Sequence, residues 1–179
     1  MAEVNPPLAA VRRLAVVSDD QVRQLAALLI DCVDGGASVS FMHPLPADHA
    51  ERFWRRVADG VAAGERALLV AEDSDGTIVG TVQVVLAQPD NQPHRADVAK
   101  MLVRRTARRH GIAQRLMAAL DEQARIERRT VLVLDTVTGG DAERLYARLG
   151  WQRVGVIPDY ALWPHGGLCA TTVFYRRMA

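Results

Sequence analysis

The chain has 179 residues, nearly half of them hydrophobic and a quarter charged, and its 22 basic and 21 acidic side chains leave a formal net charge of +1. That length can bury a core without staples, and the near-balanced charge excludes a general nucleic-acid binder. No run approaches the roughly 18 apolar residues of a membrane span, and the N-terminus lacks the apolar region of a signal peptide. Cys32 and Cys169 stand far apart without metal-ligand spacing, so a cytoplasmic protein with buried free thiols, no membrane partner and no nucleic-acid partner is expected.

Residues 1–7 read as a flexible, Pro-containing start, and 8–179 as a single domain without repeats or composition breaks. Val11–Val17 reads as a strand. Ser18-Asp19-Asp20-Gln21 has the form of a capping box and opens an apolar-striped helix to about Val33. The run Asp34-Gly35-Gly36-Ala37-Ser38-Val39-Ser40-Phe41 breaks that helix. It suits a substrate-facing loop, with Gly36, Ser38 and Phe41 as candidate contacts, or equally a plain helix terminator. Pro46–Ala63 predicts a second helix, buried along Phe53, Val57 and Val61. Arg66–Glu72 and Ile78–Leu86 form an antiparallel pair around the turn Asp73-Ser74-Asp75-Gly76.

After a polar loop, Gln88–His94, the stretch Asp97–Val103 alternates as a strand. From Gly111 the period changes, and Ile112, Leu116, Leu120 and Ala124 make one stripe of an amphipathic helix ending near Ile126. Thr130–Thr136 is apolar enough to predict burial on both faces. A short helix, Ala142–Leu149, and strands Val154–Val156 and Thr171–Tyr175 complete an order of β-α-α-β-β-β-α-β-α-β-β. This is an α/β mixed sheet with helices on both sides. Its ligand is expected at the carboxyl ends of neighbouring strands, Met101–Val103 and Asp135–Thr136.

Between the central strand and its helix lies Arg104-Arg105-Thr106-Ala107-Arg108-Arg109-His110-Gly111. Unpaired N–H groups and the helix dipole make the following helix N-terminus attractive to phosphate. Gly111 permits a positive φ or close approach of a ligand, although a solvated basic loop would have the same composition. Neither G-x-x-x-x-G-K-[ST] nor G-x-G-x-x-G is present. The five histidines show no paired-ligand spacing, so no metal is expected.

Arg108-x-x-Gly111-x-Ala113 resembles the pyrophosphate signature Q/R-x-x-G-x-G/A of GNAT-type N-acetyltransferases. About thirty residues on, Gly140-Asp141-Ala142-Glu143-Arg144-Leu145-Tyr146-Ala147-Arg148-Leu149-Gly150-Trp151 resembles that family's A-x-x-L-Y-x-x-x-G-F/W. The resemblance spans Val11 to Tyr175. It implies a GNAT-like α/β (α+β) fold, a mixed, mostly antiparallel seven-stranded sheet flanked by about four helices, and acetyl-CoA as co-substrate.

The resemblance also implies roles for particular residues. Met101, Leu102 and Val103 would pair with the pantetheine arm. Arg108, Arg109, His110, Gly111, Ile112, Ala113 and Gln114 would surround the diphosphate, and Thr138 and Asp141 would lie along the arm. Tyr146 would act as general acid, while Asp97 and Asp135 would bind an acceptor ammonium and take its proton, in direct transfer without an acyl-enzyme.

Segments Asp34–Phe41, Arg95–Lys100 and Leu134–Thr136 resemble those of the tabtoxin-resistance acetyltransferases within the family. His110 stands where the family often has a first glycine, and Asp97 where that branch has glutamate. The acceptor implied is a small-molecule amine, such as an amino-acid-like toxin or antibiotic. Acetylation of a protein N-terminus or lysine is an alternative, favoured by an open groove between Asp34–Phe41 and Pro158–Gly167. A non-catalytic acyl-CoA-binding sensor is another, against which Tyr146, Asp97 and Asp135 argue. Edge strands near the C-terminus offer a pairing surface for a homodimer.

Overall fold

The computed structural model describes residues 10–178; the start at 1–7 lies outside them. The elements are β1 (Ala10–Leu14), α1 (Asp19–Asp34), α2 (Ala47–Ala62), β2 (Arg66–Glu72), β3 (Ile78–Val85), β4 (Arg95–Val103), α3 (Ile112–Ile126), β5 (Val131–Val137), α4 (Asp141–Arg148), β6 (Gln152–Leu162) and β7 (Leu168–Arg177). One 3-10 turn, Arg105–Ala107, sits inside the basic loop. The strands form one sheet in the order β1-β2-β3-β4-β5-β7-β6. The expected element order and mixed, mostly antiparallel architecture are both observed.

Local chemistry accounts for most boundaries. Ser18 Oγ accepts from the Gln21 N–H at 3.2 Å while Gln21 Oε1 accepts from the Ser18 N–H at 2.9 Å, a complete capping box. Pro46 is the N-cap of α2, one position before its first turn. Asp73 Oδ1 accepts from the N–H groups of Asp75 and Thr77, closing the β2–β3 turn.

The core lies in two layers. Ala96, Val98, Leu132, Leu134 and Phe174 pack under α3 and α4, whereas Leu14, Leu68, Val70, Ile78 and Leu102 pack under α1 and α2. Two-sided burial falls on β2 and β3, and the expectation of it for Thr130–Thr136 is corrected. Only Leu132 and Leu134 are buried in β5, and Asp135 is exposed. No β5 residue joins the core beneath α1 and α2, so one face of this strand lacks a covering helix.

Two features of β4 open the sheet. Its parallel pairing with β5 covers only Arg95–Asp97 against Val131–Val133. On its other side Thr81 faces Leu102 while Gln83 faces Ala99, so β4 carries one extra residue, and Lys100 has φ +52°. A bulge of this kind reverses which face later side chains take. Ala96 and Val98 point toward α3, but so do Met101 and Val103, and Leu102 turns to α1.

The last two strands are much longer than the short segments predicted. Most β6 side chains are exposed, so the apolar alternation that marks a half-buried strand is missing there. Pro158 is tolerated because β6 is an edge, and the β6–β7 hairpin extends to Leu162 opposite Leu168.

Candidate active site

Where β4 leaves β5, a cleft of about 1170 Å³ passes between the two strands. One end is the loop before α3. Arg109 (φ +69°) and Gly111 (φ +73°) are both left-handed, and Gly111 is the N-cap of the helix. The first backbone bond of α3 runs from the Arg115 N–H to the Gly111 carbonyl at 3.1 Å. Among the described residues, no backbone or side-chain acceptor takes the N–H groups of residues 109–114. Unclaimed amides at a helix start, with Arg108 and Arg109 on the same wall, are groups that could hold an anion such as a diphosphate. The edge of Met101–Val103 facing β5 also lacks a strand partner, so an extended chain can lie along it.

Two further residues fix this loop. Asp31 of α1 accepts from the backbone N–H of Arg105 at 2.8 Å and from its Nε at 2.9 Å. Burial raises the Asp31 pKa, but the hydrogen bonds and charge of Arg105 outweigh it and hold the carboxyl below its ordinary value. On β3, a Cβ at Gly80 would meet Ile112 Cγ2 and Leu116 Cδ1 at 3.1 Å, so the missing side chain lets the first turns of α3 lie close to the sheet.

Tyr146 of α4 borders the middle of the cleft. It is 5% exposed, against Trp151 and Phe174 at ring distances of 5.9 and 6.1 Å. Burial, with a contribution from the Asp135 charge, pushes its phenol well above the ordinary tyrosine value. Asp135 is exposed at the strand end and accepts from Thr171 Oγ1 at 2.9 Å.

Asp97 is located differently. It lines a smaller depression of about 360 Å³ between β4 and β5, which Asp135 also borders. Its carboxylate is engaged by Arg95 Nη1 and by Gln88 Nε2, the latter at 3.1 Å. Asp135 alone of the two carboxylates reaches the main cleft.

Over the opposite end lie the α1–α2 loop and the β6–β7 tip. Ser38 Oγ donates to the Leu162 carbonyl at 3.1 Å, the His43 N–H donates to the Pro164 carbonyl at 2.9 Å, and the His43 and His165 rings lie 4.4 Å apart. Gly36, Ser38 and Phe41 all line this end. The two loops, Asp34–Phe41 with the residues after it and Pro158–Gly167, thus touch at these points.

Of the residues anticipated at the diphosphate end, Arg108, Arg109, Gly111, Ile112, Ala113 and Gln114 line the cleft, as do Met101, Leu102, Val103 and Asp141. His110 and Thr138 do not. The His110 ring nitrogen turns to the Ala107 carbonyl at 3.4 Å, and the Thr138 hydroxyl pairs with that of Thr172 at 2.9 Å. Both cysteines reach the cleft wall. Burial raises the Cys32 pKa against the opposing charge of Arg108, which keeps this thiol protonated. Among the described residues no three His, Cys, Asp or Glu side chains converge as a metal set, and no helix is long and apolar enough to cross a membrane.

Sequence reading overlooked Lys100, whose Nζ donates to Ser40 Oγ at 3.1 Å inside the cleft. The signal was available. An unbroken alternation through Ala96, Val98 and Leu102 would bury Lys100 as well, so a bulge was needed there.

Residues 64–153 match the family described as "Acetyltransferase (GNAT) domain". A protein of Azospirillum brasilense, named as an uncharacterized N-acetyltransferase, is 32% identical over 127 residues, 70% of this chain and 73% of its own length. An N-acetyltransferase from Staphylococcus aureus Mu50 shares the fold with a TM-score of 0.78 at 16% identity, over 96% of this chain and 99% of that one. A Salmonella typhimurium protein named as an acetyltransferase and solved with its cofactor acetyl-CoA superposes with a TM-score of 0.77 at 15% identity, over 96% and 94% of the two chains.

Proposed function

The chain belongs to the GNAT acetyltransferase family, and from that premise we propose that it transfers an acetyl group from acetyl-CoA directly to the amine of a small molecule. Acetyl-CoA-dependent acetylation is the family's chemistry. The acceptor class is inferred from the loop contacts: hydrogen bonds from Ser38 to Leu162 and from His43 to Pro164 join the two loops between which an extended peptide would have to lie. The similarity of Asp34–Phe41, Arg95–Lys100 and Leu134–Thr136 to the tabtoxin-resistance branch supports an amino-acid-like toxin or antibiotic as the acceptor.

The cradle fits the co-substrate. Free N–H groups over residues 109–114 would bind the diphosphate, and the strand-free edge of Met101–Val103, where Arg108 Nε holds the Val103 carbonyl at 3.2 Å, would bind the pantetheine amides. Bound acetyl-CoA supplies a thioester whose carbonyl carbon is open to a neutral amine. Asp135 holds the acceptor ammonium and takes its proton, directly or through water. Asp97 supports the ammonium from the adjoining depression, where Arg95 and Gln88 already engage its carboxylate. Tyr146 donates a proton to the departing sulfur, and its raised pKa keeps the phenol protonated for that role. No cysteine carries the acetyl group, in keeping with the protonated Cys32.

A cytoplasmic enzyme is in keeping with its two free thiols. A homodimer paired along β6 is in keeping with the exposed Val154, Ile157 and Leu162 on that edge strand. Thiol release from acetyl-CoA, measured with amino acids, polyamines, aminoglycosides and peptides, tests the acceptor. Turnover of a free small amine is expected; turnover confined to peptides would replace this reading with protein acetylation, and none at all would leave an acyl-CoA sensor.

A further inference from the structure

Lys100 has no part in the chemistry assigned above, yet it stands in the cleft. The bulge of β4 turns it to the α1–α2 side of the sheet, the same side as Asp135. Its ammonium donates to Ser40 Oγ and lies 5.7 Å from the centroid of the Phe53 ring. It takes part in none of the ion pairs among the described residues. Such a cation is under-satisfied: it retains N–H donors beyond the one Ser40 takes, and an aromatic face compensates only part of its lost hydration. Burial lowers its pKa while the Asp135 charge, across the gap, raises it. Lys100 and Asp135 thus share one cleft without forming an ion pair with each other.

We propose that Lys100 binds a carboxylate of the acceptor, so that the acceptor is a compact zwitterion, with its ammonium at Asp135 and its carboxylate at Lys100. This rests on the acetyltransferase reading and narrows its substrate class to amino acids and their analogues. Lys100 and Asp135 line the same cleft, so one small acceptor carrying both an amine and an anion can meet both. A plain polyamine or an aminoglycoside would bring only positive charge to Lys100 and be repelled.

Two measurements test it. In the first, acetyl-CoA turnover is compared for amino acids (glycine, methionine, glutamine and lysine) and their carboxamides, with the native protein and with K100Q and K100R. The native enzyme is expected to prefer acid over amide by about 10- to 100-fold in kcat/KM. K100Q should lose most of that ratio through KM, and K100R should keep it. K100N, which tolerates the left-handed backbone, serves if K100Q folds poorly. An equal rate for acid and amide, or a preference that survives K100Q and K100N, overturns the proposal while leaving the acetyltransferase intact.

The second measurement needs no turnover. Calorimetry of the coenzyme A-saturated protein with N-acetyl amino acids and their amides reads the carboxylate alone. Tighter binding of the acids, abolished in K100Q, supports the assignment. No preference, including no binding of either, overturns it even if every amine fails as a substrate.

Discussion

Tyr146 shows how surroundings set the chemistry of one side chain. Wedged against Trp151 and Phe174 beside Asp135, it cannot easily become an anion, so it remains a donor where an exposed phenol would begin to ionise. Y146F should lower kcat by about 10²-fold or more while leaving the acetyl-CoA dissociation constant unchanged, a split read by steady-state kinetics with calorimetry. In the native enzyme, kcat should show no alkaline loss from this group up to about pH 10, since the raised pKa moves that limb upward. Gly111 acts through backbone alone. G111A forces a Cβ onto a residue at φ +73°, costing about 1–2 kcal/mol in the fold, and should weaken acetyl-CoA binding without a comparable loss of kcat. Thermal melts and titration with coenzyme A check both parts.

At the level of elements, the loop before α3 is held by its neighbours. The Asp31–Arg105 contacts tie the turn after β4 to the last part of α1, and Gly35 leaves room there: a Cβ on it would come within 2.5 Å of Arg105 Cδ. D31N should cost about 1 kcal/mol at neutral pH, a figure discounted for the partial exposure of Arg105, and raise KM for acetyl-CoA. The sign with pH follows from the lowered carboxyl pKa. Native Asp31 contributes its stability above its unfolded value near 4 and loses it as pH falls through the lower folded value. The native protein and D31N should therefore converge in denaturant midpoints under strong acid.

Elements with a local chemical signature were legible in advance: the Ser18–Gln21 box, the turn at Asp73–Gly76, and the stripe from Ile112 to Ala124. The basic loop before α3 was legible as a loop too, because Gly111 and its arginines are contiguous. What escaped depends on partners distant in sequence. The bulge at Lys100 arises from register with β3, Gly80 matters only because Ile112 and Leu116 descend on it, and Gly35 yields to a residue seventy positions away. The length of β6 was hidden because an exposed edge carries no alternation.

For the molecule as a whole, the exposed row on β6 bears on assembly. If two copies join there, V154K together with I157K should convert a dimer into a monomer in sedimentation velocity, with the melting temperature of the fold little changed. The short β4–β5 ladder has a different consequence. Strands β1 to β4 come from the chain before residue 104, and β5 to β7 from the chain after 130, so the sheet is two subassemblies sharing three rungs and laced at their rims by Ser38–Leu162 and Asp121–Arg176. Such a seam is a natural line of opening. Amides near it, at 99–103 and 134–137, should exchange with deuterium earlier than those of β2 and β3. A molecule spanning the split would then act as mortar between the halves: at a hundredfold excess over its dissociation constant, coenzyme A should add about 2.7 kcal/mol and slow exchange on both banks together.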